Sequence, residues 1–157
     1  MTWLFDTCAV SAYIAPDSKK RPDELVSLWT AAEAEGICVS SATVYELRRG
    51  MRKLGLRGEG RRQSVVLEKI LRTASVITLD DWMGATWRAA VDLWADGQAL
   101  RPSQVMGEMD LLIAATALAT DRTLVTMDVG LRDALTRLGR GDRVRWIAPP
   151  KNGRPST

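Results

Sequence analysis

Five short apolar runs punctuate this chain, and segments of helical periodicity separate them. That alternation limits the fold more than any other feature. The runs are "TWLFD" (2–6), "EGICVSS" (35–41), "SVITL" (75–79), "RTLVTMD" (122–128) and "RVRWIA" (143–148). They are mostly apolar at successive positions and carry several β-branched residues, as strands covered on both faces do. Between them the spacing predicts helices. One spans 22–35, with Leu25, Leu28, Trp29 and Ala32 on a stripe and Pro22 near its start. Another spans 42–54, opened by Ser40 or Ser41 as N-cap. Residues 61–74 place Val65, Val66, Ile70 and Leu71 on one face, and 81–96 place Trp87, Ala90, Val91 and Trp94 likewise. "EMDLLIAATALAT" (108–120) is apolar almost all round, which marks a central buried helix. A short helix over 129–138 follows the fourth run. Residues 97–107 read as a loop. Strand and helix in alternation predict an α/β fold with a mainly parallel sheet. The 157 residues suffice for one core. A single domain is expected over 1–148, with a loosely ordered, proline-bearing tail over 149–157.

The chain contains no histidine. That excludes Ser-His-Asp and Cys-His catalysis, His-ligated zinc and the usual general base near neutral pH. Any acid–base work falls to carboxylates or a metal. Cys8 and Cys38 form no CxxC and are too few for a disulfide framework or a zinc site. They read as reduced core thiols of a cytoplasmic protein. No apolar run reaches the roughly 18–20 residues of a membrane helix, and no signal peptide is visible. Net charge is only +3, but residues 48–62 hold seven basic side chains against one acid, Glu59. Arg48, Arg49, Arg52, Lys53, Arg57, Arg61 and Arg62 either follow a nucleic-acid backbone or form a solvated surface.

Open parallel sheets bind ligands at the carboxyl ends of their strands. Asp6 ends the first run and Asp128 the fourth. Glu46 lies in the first turns after the second, and Asp110 opens the central helix. Each acid alone has a structural reading. Asp6 and Asp128 suit N-caps. Glu46 suits a capping box with Thr43 or a pair with Arg48 or Arg49. Asp110 and Glu108 suit a helix macrodipole. Together, four clustered carboxylates repel one another, and a bound cation relieves the repulsion. An oxygen-only ligand set selects Mg²⁺ or Mn²⁺. Beside a basic segment, such a metal suggests phosphodiester hydrolysis by an activated water.

These residues resemble the PIN-domain ribonucleases and, in size and motif, the VapC-type toxins of toxin–antitoxin pairs. "LFDTCAVS" (4–11) resembles the opening strand, with Asp6 and Thr7 matching and Cys8 where Asn is usual. "SSATVYELRRG" (40–50) resembles the second motif, whose acid is Glu46. "DLLIAATALATDRTLVTMD" (110–128) resembles the strongest one. The resemblance spans about residues 2–147. It implies a three-layer α/β/α sandwich around a five-stranded sheet and endoribonuclease activity dependent on Mg²⁺ or Mn²⁺. It also implies a homodimer and a cognate antitoxin. It makes Asp6, Glu46, Asp110 and Asp128 the catalytic acids, with Asp6 and Asp110 on the metal and Glu46 and Asp128 reaching it directly or through water. Thr7 and Thr126 support them. Arg48, Arg49, Arg52, Arg57, Arg61 and Arg62 are the expected RNA contacts.

Two alternatives compete. One is a PIN-like module that binds RNA without cutting it. The other is a phosphoacceptor domain using Asp6 with Asp80 or Asp81, Thr126 and Lys151; Asp6 lacks the neighbouring acid such a site wants. Trp29 and Leu25 suit a core better than a partner surface.

Overall fold

The structure is a computed structural model that describes residues 2–17, 19 and 21–150. Lys151 and most of the expected tail lie outside them. In chain order the elements are β1 (Trp3–Phe5), α1 (Thr7–Ile14), α2 (Asp23–Glu33), β2 (Cys38–Ser40), α3 (Ser41–Gly55) and α4 (Arg61–Thr73). There follow β3 (Ser75–Ile77), α5 (Asp81–Ala99), α6 (Glu108–Ala119), β4 (Thr123–Thr126), α7 (Val129–Arg137) and, after a 3₁₀ turn, β5 (Val144–Trp146). The strands are shorter than the apolar runs that announced them.

All strand pairs are parallel. β4 lies between β1 and β5, with Phe5 opposite Val125 and Thr126 opposite Trp146. β2 pairs with β3, Cys38 opposite Ser75. β2 also lies against β1, but the ladder is interrupted there. The expected continuous five-stranded sheet is therefore a three-stranded and a two-stranded sheet side by side. Strands of three or four residues form few ladder bonds, and side-chain packing carries the rest.

Side chains alternate across a strand, and here the alternation separates two cores. Leu4, Leu124, Cys38 and Ile77 pack with α5, α6 and α7 on one face. Phe5, Val125, Val39 and Ile147 pack with α1 to α4 on the other. Neighbours in sequence thus serve opposite layers, the expected α/β/α sandwich. Trp29 and Leu25 are buried in the second core. The Trp29 ring stacks on Tyr13 at 4.0 Å between centroids.

Of the two amphipathic stripes, that of α4 holds with a small rotation: Val66, Ile70 and Leu71 pack against the second core beside buried Leu67, and only Val65 is exposed. The stripe of α5 is displaced. On α5 the buried residues are Thr86, Ala90, Leu93 and Gly97, whereas Trp87, Val91 and Trp94 are exposed. Small side chains let α5 pack closely against α6 and against the loop that follows α5, so the bulky apolar ones face outward. Gly97 shows how close. A Cβ there would meet the Gln104 carbonyl oxygen at 2.4 Å, and the Gln104 N–H donates to the Gly97 carbonyl at 2.9 Å. Gly97→Ala should therefore displace the 100–107 loop and cost about 1–3 kcal/mol, read as a lowered Tm. An unchanged Tm would show that the loop yields freely.

Candidate active site

The parallel register sets the site. Because Phe5 lies opposite Val125, Asp6 and Thr126 leave the sheet side by side. The Asp6 N–H still donates to the Val125 carbonyl at 3.1 Å. The Asp6 side chain is only 3% exposed. Its Oδ1 accepts from the Ala9 N–H at 2.8 Å, capping α1, and its Oδ2 accepts from the Cys8 thiol at 3.7 Å. Burial pushes its pKa up from 3.8 to about 6. The Thr126 hydroxyl and the Ala9 N–H restrain that rise, and the charge of Asp110 adds to it.

Asp128 follows β4 and caps α7, its Oδ1 accepting from Gly130 at 2.7 Å and Leu131 at 3.1 Å. Its own N–H donates to the Thr126 hydroxyl at 3.0 Å. Two of the capping roles expected of isolated acids are thus real, and each occupies one carboxylate oxygen. Glu46 makes neither expected local contact. Ser40 caps α3, and Glu46 accepts from the Thr7 hydroxyl at 2.5 Å, joining the α3 acid to the first turn of α1. Asp110 lies in the first turn of α6, whose N-terminus has no side-chain cap. Burial raises its pKa, and Asp128 and Glu46 raise it further. Asp110 is thus the acid within electrostatic reach of the other three. Glu108 is exposed on the same turn.

A cleft of about 220 Å³ opens on this cluster. Asp110, Asp128, Gly107 and Gly130 line it, with Gln104, Val105 and Met106 as one wall. These wall residues belong to the 100–107 loop, in which no residue type signals a site. Cys8 is half-buried rather than in the core. Burial, then the Asp6 charge, pushes its thiol up to about 12, so it remains a protonated donor. Its place two residues after Asp6, in the first turn of a capped helix, was the available signal.

Among the described residues, none of the four acids has a cationic partner. No three of them close on a common point; they stand apart, as like charges do. The donor set is nonetheless all oxygen and strongly anionic, and Asp6 is held out of water. These residues fit a hard divalent cation in kind and charge.

The basic stretch divides. Arg48, Arg49, Arg52, Arg57, Arg61 and Arg62 are all exposed. Arg48 is tied to Glu68 by two bonds of 3.2 Å, and with Arg52 and Arg61 it lines a cleft between α3 and α4. Arg49 and Lys53 follow Glu46 by three and seven residues, on the same helix face. Asp80 and Asp81 are bonded locally, to the Trp87 indole and the Thr78 N–H, and form no acid pair with Asp6.

The model of the PIN-domain family matches residues 3–134. The chain belongs to that family, whose members are generally nucleases. No curated protein matches it. Among solved structures it is similar to VapBC2 from Rickettsia felis bound to a promoter DNA fragment, with a TM-score of 0.68 and 20% identity over 95% of this chain and 99% of that one. It is also similar to FitAcB from Neisseria gonorrhoeae, with a TM-score of 0.67 and 21% identity over 97% and 100%. A third is DNA-bound VapBC from Salmonella typhimurium, with a TM-score of 0.67 and 20% identity over 94% and 98%. No helix of the described residues is long and apolar enough to cross a membrane.

Proposed function

We propose that this chain is a divalent-metal-dependent endoribonuclease and the toxin of a toxin–antitoxin pair, acting in the cytoplasm. The observation that carries the reading is the set of four acids within electrostatic reach of one another through Asp110, with Asp6 buried and, among the described residues, no cationic side chain paired with any of them. Asp6 and Asp110 would hold Mg²⁺ or Mn²⁺, with Glu46 and Asp128 reaching it directly or through water. A bound divalent ion supplies Lewis acidity at phosphorus and an acidified water. Thr7 keeps the Glu46 carboxylate oriented, and Thr126 ties Asp6 to Asp128. The Cys8 thiol donates to Asp6 at the position where the family usually has Asn. The toxin role is supported by family membership and by the VapBC and FitAB assemblies among similar folds. It brings a cognate antitoxin and a homodimer with it. The test is purified chain with labelled RNA. Shortening with Mg²⁺ or Mn²⁺, abolished by chelator, is expected. Intact RNA that is nevertheless bound would favour a binding module.

On this reading Arg49 and Lys53, on the Glu46 face, and the exposed Arg57, Arg61 and Arg62 would meet RNA phosphate. Phosphate contacts give affinity that falls steeply with salt. Replacing Arg57, Arg61 and Arg62 by Gln should weaken RNA binding and reduce the slope of log K against log[salt] by roughly 2. An unchanged slope would return these residues to solvent.

A further inference from the structure

We propose that Val105 meets the nucleobase next to the scissile phosphate, and that Arg137 is the positioning residue that holds Val105 there. This assignment deepens the nuclease reading above and rests on it.

The cleft at Asp110 and Asp128 has two walls. Gly130, Leu131 and Ala134 of α7 form one, and the 104–107 segment forms the other. The second wall runs up to the acid itself, since a Cβ on Gly107 would lie 3.5 Å from Asp110 Oδ2. On that wall Val105 is 72% exposed, while Met106 beside it packs partly against the first core. Among the described residues neither wall carries a cation. A phosphate between them would face Asp110 and Asp128 with nothing to offset the repulsion. On the nuclease reading the scissile phosphate sits at the metal, against Asp6 and Asp110. The cleft leads away from Asp110, so the adjoining nucleotide is the one that enters it. The part of that nucleotide suited to uncharged walls is its base, whose flat face a branched apolar side chain covers. Phosphate contacts set register, and base contacts set selection.

Val105 stands on a braced segment. Arg137 Nη1 donates to Gln104 Oε1 and Arg137 Nη2 to the Pro102 carbonyl, each at 2.7 Å. The Gln104 side-chain amide in turn donates to the Val105 carbonyl at 3.3 Å. On the α5 side the Gln104 N–H donates to the Gly97 carbonyl at 2.9 Å. Both polar ends of the Gln104 side chain are therefore spent within the chain, as are both terminal nitrogens of Arg137. These two residues act as struts, and Val105 is the side chain left for a ligand. Arg137 sits in the last turn of α7, and Asp128 caps the first. One helix thus fixes an acid at one end and the opposite wall at the other. The guanidinium thereby sets the width of cleft open to a base.

The experiment uses the full chain and starts from single-stranded RNA of random sequence. Sequencing the ends after cleavage by wild type with Mn²⁺ should show a preferred base next to the cut. An oligonucleotide of the preferred sequence is then made with that base and with an abasic residue in its place. Val105→Ala and removal of the base should each lower kcat/KM about 10-fold, and the two together no more than either alone. Val105 is exposed, so its truncation leaves the core intact. Arg137→Ala should lose the base preference as Val105→Ala does, and Arg137→Lys, which keeps one donor, should recover part of it. The Mn²⁺-induced rise in Tm should stay at its wild-type value in all three variants, because the acids are untouched. A smaller rise would make the wall part of the metal site and overturn the assignment. Losses that multiply, or wild-type cuts without base preference, would overturn the Val105 contact and leave the nuclease standing. Wild-type preference in Arg137→Ala would overturn the brace. RNA left whole by wild type would overturn both the nuclease reading and this one.

Discussion

Asp110→Asn and Asp6→Asn should each lower metal-supported RNA cleavage at least about 100-fold while leaving the fold intact. The two substitutions are nearly isosteric, so packing is preserved. At Asp6 the cap is preserved too, since Asn still accepts from the Ala9 N–H. What disappears is negative charge. Asp110 links the four acids: its pKa is raised by burial first and then by Asp128 and Glu46, and its own charge adds a little to the rise at Asp6. Its loss should weaken a cation's hold most broadly. Asp128→Asn should be milder, because one of its oxygens is already committed to capping α7. Glu46→Gln should fall between, since it keeps an acceptor for Thr7. The measurement is single-turnover cleavage of labelled RNA over a range of Mn²⁺ concentration. Activity that returns at high Mn²⁺ assigns the loss to metal affinity. Full cleavage by Asp110→Asn at low Mn²⁺ would sink the metal-nuclease reading.

The parts legible in the sequence were those set by periodicity and by order. Strand and helix alternate in the text because each crossover must return the chain to the same edge of a parallel sheet. The acids could therefore be placed at strand ends before any coordinates. Ser40 as a cap and the all-round burial of α6 followed from local chemistry in the same way. The displaced helix face has a plain cause. Periodicity finds the apolar stripe of a helix but cannot say whether that stripe meets the chain's own core. On α5 the bulky stripe, Trp87 to Trp94, points outward, and the small-residue stripe, Thr86 to Gly97, is the packed one. Close packing here depends on Ala90 and Gly97, which carry little hydrophobic signal. The Thr7–Glu46 bond spans 39 residues. The family resemblance names Thr7 as a support for the acids, but nothing local to Glu46 shows that it is the acid Thr7 serves. The division of the basic stretch likewise needed the helix face on which each arginine sits.

The same cluster should write itself into stability. With chelator present, wild type should lose stability relative to Asp6→Asn as pH rises from about 4 to about 6. The folded-state pKa of Asp6 is raised to about 6 from 3.8, chiefly by burial. In that window the folded chain keeps a proton that the unfolded chain has released, so unfolding is favoured as pH rises. Below pH 3.8 both states hold the proton and the penalty is absent. Above pH 6 it is complete, on the order of 3 kcal/mol for a shift of this size at a buried site. Asn carries no charge and escapes it, so Asp6→Asn should melt higher than wild type at pH 7 without metal. Asp110 is raised in the same direction, so it contributes a slope that the Asp6 variant retains. Added Mg²⁺ should reverse the order. A cation that binds the folded cluster alone stabilises by RT ln(1 + [L]/Kd), and the wild type, with the tighter site, should gain more. Paired melts of wild type and Asp6→Asn across pH 4–8, with chelator and then with Mg²⁺, read both effects. A wild type more stable than Asp6→Asn in chelator at pH 7 would mean that Asp6 is there to hold the fold and not an ion.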